Sequence, residues 1–388
     1  MRKWVSRRMA AVPPSAIRRF FDILNTMDDV ISLGIGEPDF VTPEHICQAG
    51  VDSLHAGCTN YSSNAGSIEL RELIAHKLDE LYGIAYDPET EIVVTVGASE
   101  AITDFMIAVL DPGDEVIIPQ PCFVSYVPSV LFAGGQPVIV DAHYENDFAV
   151  TADEIEAAIT DRTKVLFISY PSNPTGAVVS RKEMLRIADV AKRHDLLVLS
   201  DEIYDRLVYG VEHVNVASLP EMWERTVHVG GFSKAYAMTG WRIGYIAGPR
   251  QAIEPVAKVH QYAIMCASTM GQHGAIAALK DGEPDVRRMV AEYDRRRRLI
   301  VDGFNDIGLP TFEPRGAFYC FPRIVSTGLS DTEFAERLLV EEKVAMVPGS
   351  AFGATGKGHV RACYATSMDE IEEALVRVRR FAERHRAG

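Results

Sequence analysis

The chain has 388 residues, more than one hydrophobic core usually organises, so two packed lobes or one large α/β domain with an appendage are expected. An apolar fraction of 47% with 24% charged residues is ordinary for a globular enzyme. Thirty-nine basic against 54 acidic side chains give a net charge of −15, a field that repels nucleic acid at long range, so no nucleic-acid partner is expected.

The N-terminal segment Met1 to Pro14 carries arginines and a tryptophan but no apolar signal-peptide core. No later stretch reaches the roughly 18 apolar residues that span a bilayer. A cytoplasmic protein without a membrane partner is therefore expected. Cys47, Cys58, Cys122, Cys266, Cys320 and Cys363 lie far apart without a C-x-x-C pair and read as reduced core thiols, with no metal site.

From about residue 68 to 250, helix-period segments alternate with short β-branched runs, the pattern of βαβ units around a mainly parallel sheet. The apolar runs are Glu91 to Val96, Glu115 to Ile118, Pro137 to Val140, Lys164 to Ser169, Leu196 to Leu199, Thr226 to Val229 and Arg242 to Ala247. Buried parallel strands look like this. Between them, Glu183 to His194 has apolar residues at helical spacing and reads as a crossover helix.

The character changes after about residue 283, where Pro284 precedes a long charged helix containing Arg295-Arg296-Arg297-Arg298. These arginines point around the helix, so a solvated helix is expected rather than a phosphate-binding patch. Thr311 to Pro322 and Val344 to Val347 read as strands of a second sheet, and Met368 to Arg386 as a final helix. The expected organisation is a large domain over residues 47–286 and a smaller α+β domain from residues 1–46 and 287–388.

Chemistry concentrates at the ends of the predicted strands. In Val229-Gly-Gly-Phe-Ser-Lys234-Ala-Tyr-Ala-Met-Thr-Gly-Trp-Arg242, a lysine sits in a small-residue turn after a strand. A lysine amine held in a partly desolvated site forms an imine with an aldehyde cofactor, although an exposed loop lysine is the plainer alternative. Asp201 in Ser200-Asp201-Glu202-Ile203-Tyr204 follows the run Leu196 to Leu199, at the edge where α/β sheets bind ligands. A carboxylate there keeps a pyridine nitrogen protonated, or else caps the following turn.

Pro171-Ser-Asn173-Pro-Thr-Gly176 occupies the same edge, where Asn173 offers an amide donor to a phenolate oxygen. Thr95-Val-Gly97-Ala98-Ser99-Glu100-Ala101 joins a strand to a helix through small residues, leaving backbone N–H groups for a phosphate. Phe123 in Pro121-Cys-Phe123-Val-Ser-Tyr126 either stacks on a flat ring or belongs to the core. Arg361, in Val360-Arg361-Ala-Cys-Tyr364, suits two-point binding of a carboxylate, with a surface salt bridge as the alternative. Gly34-Ile-Gly36-Glu37-Pro38 is no dinucleotide fingerprint, because it lacks a third glycine and its proline breaks the helix.

Joined in this order, the motifs G-E-P-D-F, N-P-T-G, S-D-E-I-Y, S-K…R and V-R…Y-A resemble the class I and II aminotransferases of fold type I, over about Ile17 to Arg380. The phrases at 32–40, 231–242 and 347–353 look most like archaeal-type aromatic aminotransferases. The resemblance implies pyridoxal 5'-phosphate held as a Schiff base on Lys234, which then moves a proton, with Asp201 on the ring nitrogen, Asn173 and Tyr204 on the phenolate oxygen and Phe123 on the ring. It implies a phosphate cradle of Ala98, Ser99, Ser233 and Arg242, with Tyr61 from the neighbouring subunit of a homodimer, and a substrate carboxylate on Gly36, Asn173 and Arg361.

Two departures stand out. Gly231 occupies a position where many relatives carry a phosphate-binding hydroxyl, which is why Ser233 takes that role. The segment His260-Gln-Tyr-Ala-Ile-Met-Cys-Ala lacks the arginine of one dicarboxylate-specific subgroup. The expected activity is ping-pong transfer from an L-amino acid, aromatic by preference, to 2-oxoglutarate. The alternatives are an aspartate or alanine aminotransferase, a β-elimination lyase on the same scaffold, and a cofactor-sensing regulator, for which the 30 or so residues before Gly34 leave little room.

Overall fold

The structure, a computed structural model, describes residues 4–12, 27 and 29–386. The start of the family resemblance near Ile17, the outer ends of the expected smaller domain and part of the segment Met1 to Pro14 lie outside the described residues.

The strands in chain order are β1 (Ile31–Ser32), β2 (Ile92–Thr95), β3 (Glu115–Gln120), β4 (Gln136–Asp141), β5 (Thr163–Ile168), β6 (Leu197–Asp201), β7 (Thr226–Gly231), β8 (Gly244–Ala247), β9 (Tyr319–Cys320), β10 (Val344–Ala345), β11 (Val347–Pro348) and β12 (Val360–Cys363). Seven of them form one sheet in the order β2-β8-β7-β6-β5-β3-β4. All seven runs expected as its strands are there. Pairing is parallel from β7 to β4, while β8 runs antiparallel to both β7 and β2.

The sheet is covered on both faces, which explains why its strands are apolar throughout rather than alternating. Ile117, Leu166, Ile168 and Val198 face one core with Met184, Ile187, Val190 and Ala191 of the helix Arg181–Arg193. Val116, Ile118, Phe167, Leu199 and Val229 face the other, against Ile102, Phe105 and Met106 of the helix Ala98–Val109 and Ile253 and Val256 of the helix Arg250–Ala263. Ser180 caps the first of these helices by accepting from the Glu183 N–H, so its start is fixed locally.

The C-terminal third departs from the expected strands. Only Tyr319–Cys320 of the run Thr311 to Pro322 is a strand, pairing with β12, because Thr311 and Pro314 bond to Asn305 and Arg297 side chains of the helix Glu283–Ile307 and Gly316 bonds the Gly176 carbonyl instead of a ladder. Val344 to Val347 is divided between two sheets: β10 pairs parallel with β1, and β11 pairs antiparallel with β12. Pro284 lies inside the first turn of the helix Glu283–Ile307, where a missing N–H costs nothing. Both expected domain boundaries, after residues 46 and 286, fall within helices.

The arginine run is only half solvated. Arg295 and Arg298 are exposed, whereas the side chains of Arg296 and Arg297 are 7% and 4% exposed. Arg296 reaches Asp39 Oδ1 at 2.8 Å and Glu292 at 3.1 Å, and its guanidinium lies over the Phe40 ring. Arg297 bonds Asp294 and Glu313 at 2.7 Å each, against the Tyr209 ring. Helical spacing alone could not reveal acids supplied by distant loops. The cysteines are likewise mixed: Cys122, Cys320 and Cys363 are buried, the other three partly exposed, and all are free.

Arg297→Ala removes a buried guanidinium that joins two partly exposed acids, Asp294 and Glu313, together with its packing on the Tyr209 ring. A loss of about 2–3 kcal/mol in unfolding free energy is expected by urea titration; a change within about 0.5 kcal/mol, the range of ordinary surface substitutions, would show that guanidinium to be inconsequential.

Candidate active site

A cavity of about 600 Å³ opens at the C-terminal ends of the parallel strands. Every expected site residue except Tyr61 lines it: Gly36, Ala98, Ser99, Phe123, Asn173, Asp201, Tyr204, Ser233, Lys234, Arg242 and Arg361. Tyr61 is 80% exposed and outside this lining.

Lys234 stands in the turn after β7, and its Nζ donates to the Gly36 carbonyl at 2.7 Å. Burial pulls the ammonium down from its ordinary range to about 8, so a neutral, nucleophilic amine is accessible near physiological pH. Asp201 is the last residue of β6, with Oδ1 accepting from the Ile203 N–H at 3.1 Å and Oδ2 from the Tyr126 hydroxyl at 2.7 Å. Both sequence alternatives therefore meet in one carboxyl, which shapes the turn and also faces the cavity. Its pKa rises to about 6 through burial, against which the Tyr126 hydrogen bond works.

The helix Ala98–Val109 begins at the cavity without a side-chain cap on its first N–H groups. Gly97 precedes it at φ +77°, and a side chain there would press on the Arg242 guanidinium. Gly244 at the start of β8 is required by a close approach, since a Cβ would collide with the Gly97–Ala98 backbone. Free N–H groups and a guanidinium thus converge as an anion cradle.

In the same lining, Arg361 on β12 donates to Asn173 Oδ1 at 2.8 Å and to the Gly34 carbonyl at 2.6 Å. It is 3% exposed, so it is no surface salt bridge, and its Nε is buried without a hydrogen-bond partner. The Tyr319 and Phe352 rings hold its guanidinium at 4.6 Å and 4.8 Å from their centroids. The Tyr204 and Tyr319 hydroxyls share a 2.7 Å hydrogen bond, and burial pushes both phenols upward.

Sequence reasoning missed Tyr126, although it ends the motif that drew attention to Phe123. A polar tip on a buried aromatic was the available signal. Tyr319 and Glu37 also line the cavity, and neither carried a recognisable local pattern.

A buried amine, a buried carboxyl and an anion cradle at one edge of this sheet define a fold type I enzyme that uses pyridoxal 5'-phosphate. The donor set fits that cofactor, with Lys234 for its aldehyde, Asp201 for its ring nitrogen and the helix N-terminus with Arg242 for its phosphate. The family model for class I and II aminotransferases matches residues 28–378, and the chain belongs to that family. It is an aminotransferase.

Among its relatives, an aspartate aminotransferase of Pyrococcus abyssi is 50% identical over 377 residues, 96% of this chain and 97% of that protein. The aromatic-amino-acid aminotransferase 2 of Thermococcus litoralis is 47% identical over the same span and shares. Among solved structures, an aromatic aminotransferase from Pyrococcus horikoshii superposes with a TM-score of 0.90 at 48% identity, covering 94% of this chain and 99% of that one. Among the described residues, no helix is long and apolar enough to cross a membrane.

In the cofactor-free protein, Asp201 sits at about 6 against an ordinary 3.8, so folding favours its protonated form. The stability this contributes is complete below pH about 4 and is lost as pH rises through about 6. Asp201→Asn lacks that titration, so its unfolding free energy minus that of the wild type should climb by roughly 3 kcal/mol across the window. Parallel pH–stability curves in urea would contradict the assignment.

Proposed function

We propose that the protein transfers the amino group of an L-amino acid, aromatic by preference, to 2-oxoglutarate in a ping-pong sequence. The observation that carries this reading is that the buried Lys234 amine and the buried Arg361 guanidinium line one cavity and bond the carbonyls of the same short segment, Gly36 and Gly34. A carboxylate bound at Arg361 and its unpartnered Nε fixes the substrate at one end. With Asn173 Oδ1 engaged by Arg361, the amide presents its Nδ2 donor to the cofactor's phenolate oxygen, together with the Tyr204 hydroxyl.

When bound, pyridoxal 5'-phosphate supplies the electron sink that accepts the pair released at the substrate α-carbon. Lys234 holds the cofactor and, once freed by substrate, moves the proton from that α-carbon; its lowered pKa suits it to both accepting and returning the proton. Asp201 would keep the ring nitrogen protonated, and the hydrogen bond from Tyr126 works against burial to favour its ionised form. Ala98, Ser99, Ser233 and Arg242 would hold the phosphate, and Phe123 would pack against the ring.

The cavity walls favour an uncharged side chain. Its lining cations are Lys234, Arg242 and Arg361, each occupied by the roles above, while Ile35, Ile102, Val124 and Tyr319 are apolar or aromatic and Glu37 is acidic. The names of the relatives divide between aromatic and aspartate donors, so aspartate is the second reading. A homodimer in which the neighbouring subunit's copy of Tyr61 completes the phosphate site accounts for that residue's exposure, and six free cysteines support a reducing, cytoplasmic compartment.

With purified enzyme and 2-oxoglutarate, kcat/KM for phenylalanine or tyrosine should exceed that for aspartate; the reverse order would move the assignment to the second reading. Pyruvate or ammonia released from cysteine-type substrates without any keto-acid acceptor would indicate a lyase instead. Arg361→Ala should weaken amino-acid binding by about 2–5 kcal/mol, as expected for removing one partner of a desolvated charge pair, with cofactor binding nearly intact. An unchanged KM for every donor would refute the carboxylate role.

A further inference from the structure

Behind the cavity, the helix Ala98–Val109 packs on the helix Arg250–Ala263, and three groups meet between them that transamination does not use. His260 Nδ1 lies 2.7 Å from Glu100 Oε1 and 4.0 Å from Asp104 Oδ2. The three atoms fall within 4.8 Å of one another. His260 is 0% and Asp104 3% exposed.

The other imidazole nitrogen, Nε2, is 2.9 Å from the Asn64 backbone carbonyl. A carbonyl oxygen only accepts, so Nε2 carries a hydrogen and Nδ1 is the nitrogen that faces the carboxylates, whose charge raises the pKa of the imidazole. Asp104 Oδ2 is buried with no hydrogen-bond partner. Two carboxyl groups facing one imidazole in the interior call for compensating positive charge, which protons or a metal ion can supply.

We propose that this cluster binds a divalent transition-metal ion through His260 Nδ1, Glu100 Oε1 and Asp104 Oδ2. One imidazole nitrogen and two carboxylate oxygens are ligands that zinc accepts, and a double positive charge balances both carboxylates. The surroundings orient the ligands as metal sites require: the Asn64 carbonyl fixes the ring tautomer, and the Val96 N–H donates to the second oxygen of Glu100. None of the three ligands lines the active-site cavity. The ion is therefore structural, fastening two helices far apart in sequence.

The rival occupants are protons, one on the imidazole and one shared by the carboxyls. The full-length protein, stripped with EDTA, incubated with zinc chloride and dialysed against metal-free buffer, separates the two by elemental analysis. Wild type should retain one equivalent of zinc per chain more than Asp104→Asn or His260→Gln, and its thermal midpoint should rise with zinc while the variants' midpoints do not respond. Should the variants fail to fold, anomalous scattering at the zinc edge from wild-type crystals locates the ion directly. Equal zinc content in all three proteins, a wild-type midpoint indifferent to zinc, or no anomalous peak between His260 and Asp104 would assign the cluster to protons and overturn the proposal.

Discussion

The structure depends most on the desolvation of one amine. Lys234 is held against the Gly36 carbonyl in a pocket that pulls its pKa to about 8, and almost every neighbouring feature serves that condition. An exposed lysine would stay charged and unreactive in the same place in the chain. Burial makes the amine a nucleophile and a usable acid and base, but it also demands rigid, polar surroundings that compensate for the lost water.

Those surroundings come from both ends of the chain. The segment bearing Gly36 is anchored by Asp39 and Phe40 to Arg296 on the long helix, and Arg361 on β12 reaches back to Gly34 and across to Asn173. The sheet contributes Asp201 and Lys234 at the ends of adjacent strands, whose parallel pairing sets their spacing. Arg296 thus has a purpose in positioning the segment that bears Gly36, and a surface charge patch would not serve it.

Much of this was legible in the sequence because it is local. Seven buried strands announce themselves as apolar runs, and Lys234, Asp201 and Asn173 each sit in a short motif after such a run, so their convergence follows from the rule that ligands bind at strand C-termini, whereas Arg361 arrives on β12 of a separate sheet. What escaped is non-local. Arg296 and Arg297 look solvated until Asp39 and Glu313 arrive from distant loops. Val344 to Val347 looks like one strand until its halves find different partners, and Tyr126 looks like core until its hydroxyl meets Asp201. Pairings of this kind depend on tertiary contacts that no window of sequence contains.

The central claim is that Lys234, and no other lysine, bonds covalently to the cofactor. Borohydride reduction of the protein loaded with pyridoxal 5'-phosphate, followed by proteolysis and peptide mass mapping, tests it most directly. The account predicts one pyridoxyl-modified peptide, containing Phe232-Ser233-Lys234, in stoichiometric yield. A modification spread over surface lysines, or placed on any single lysine other than Lys234, would contradict it.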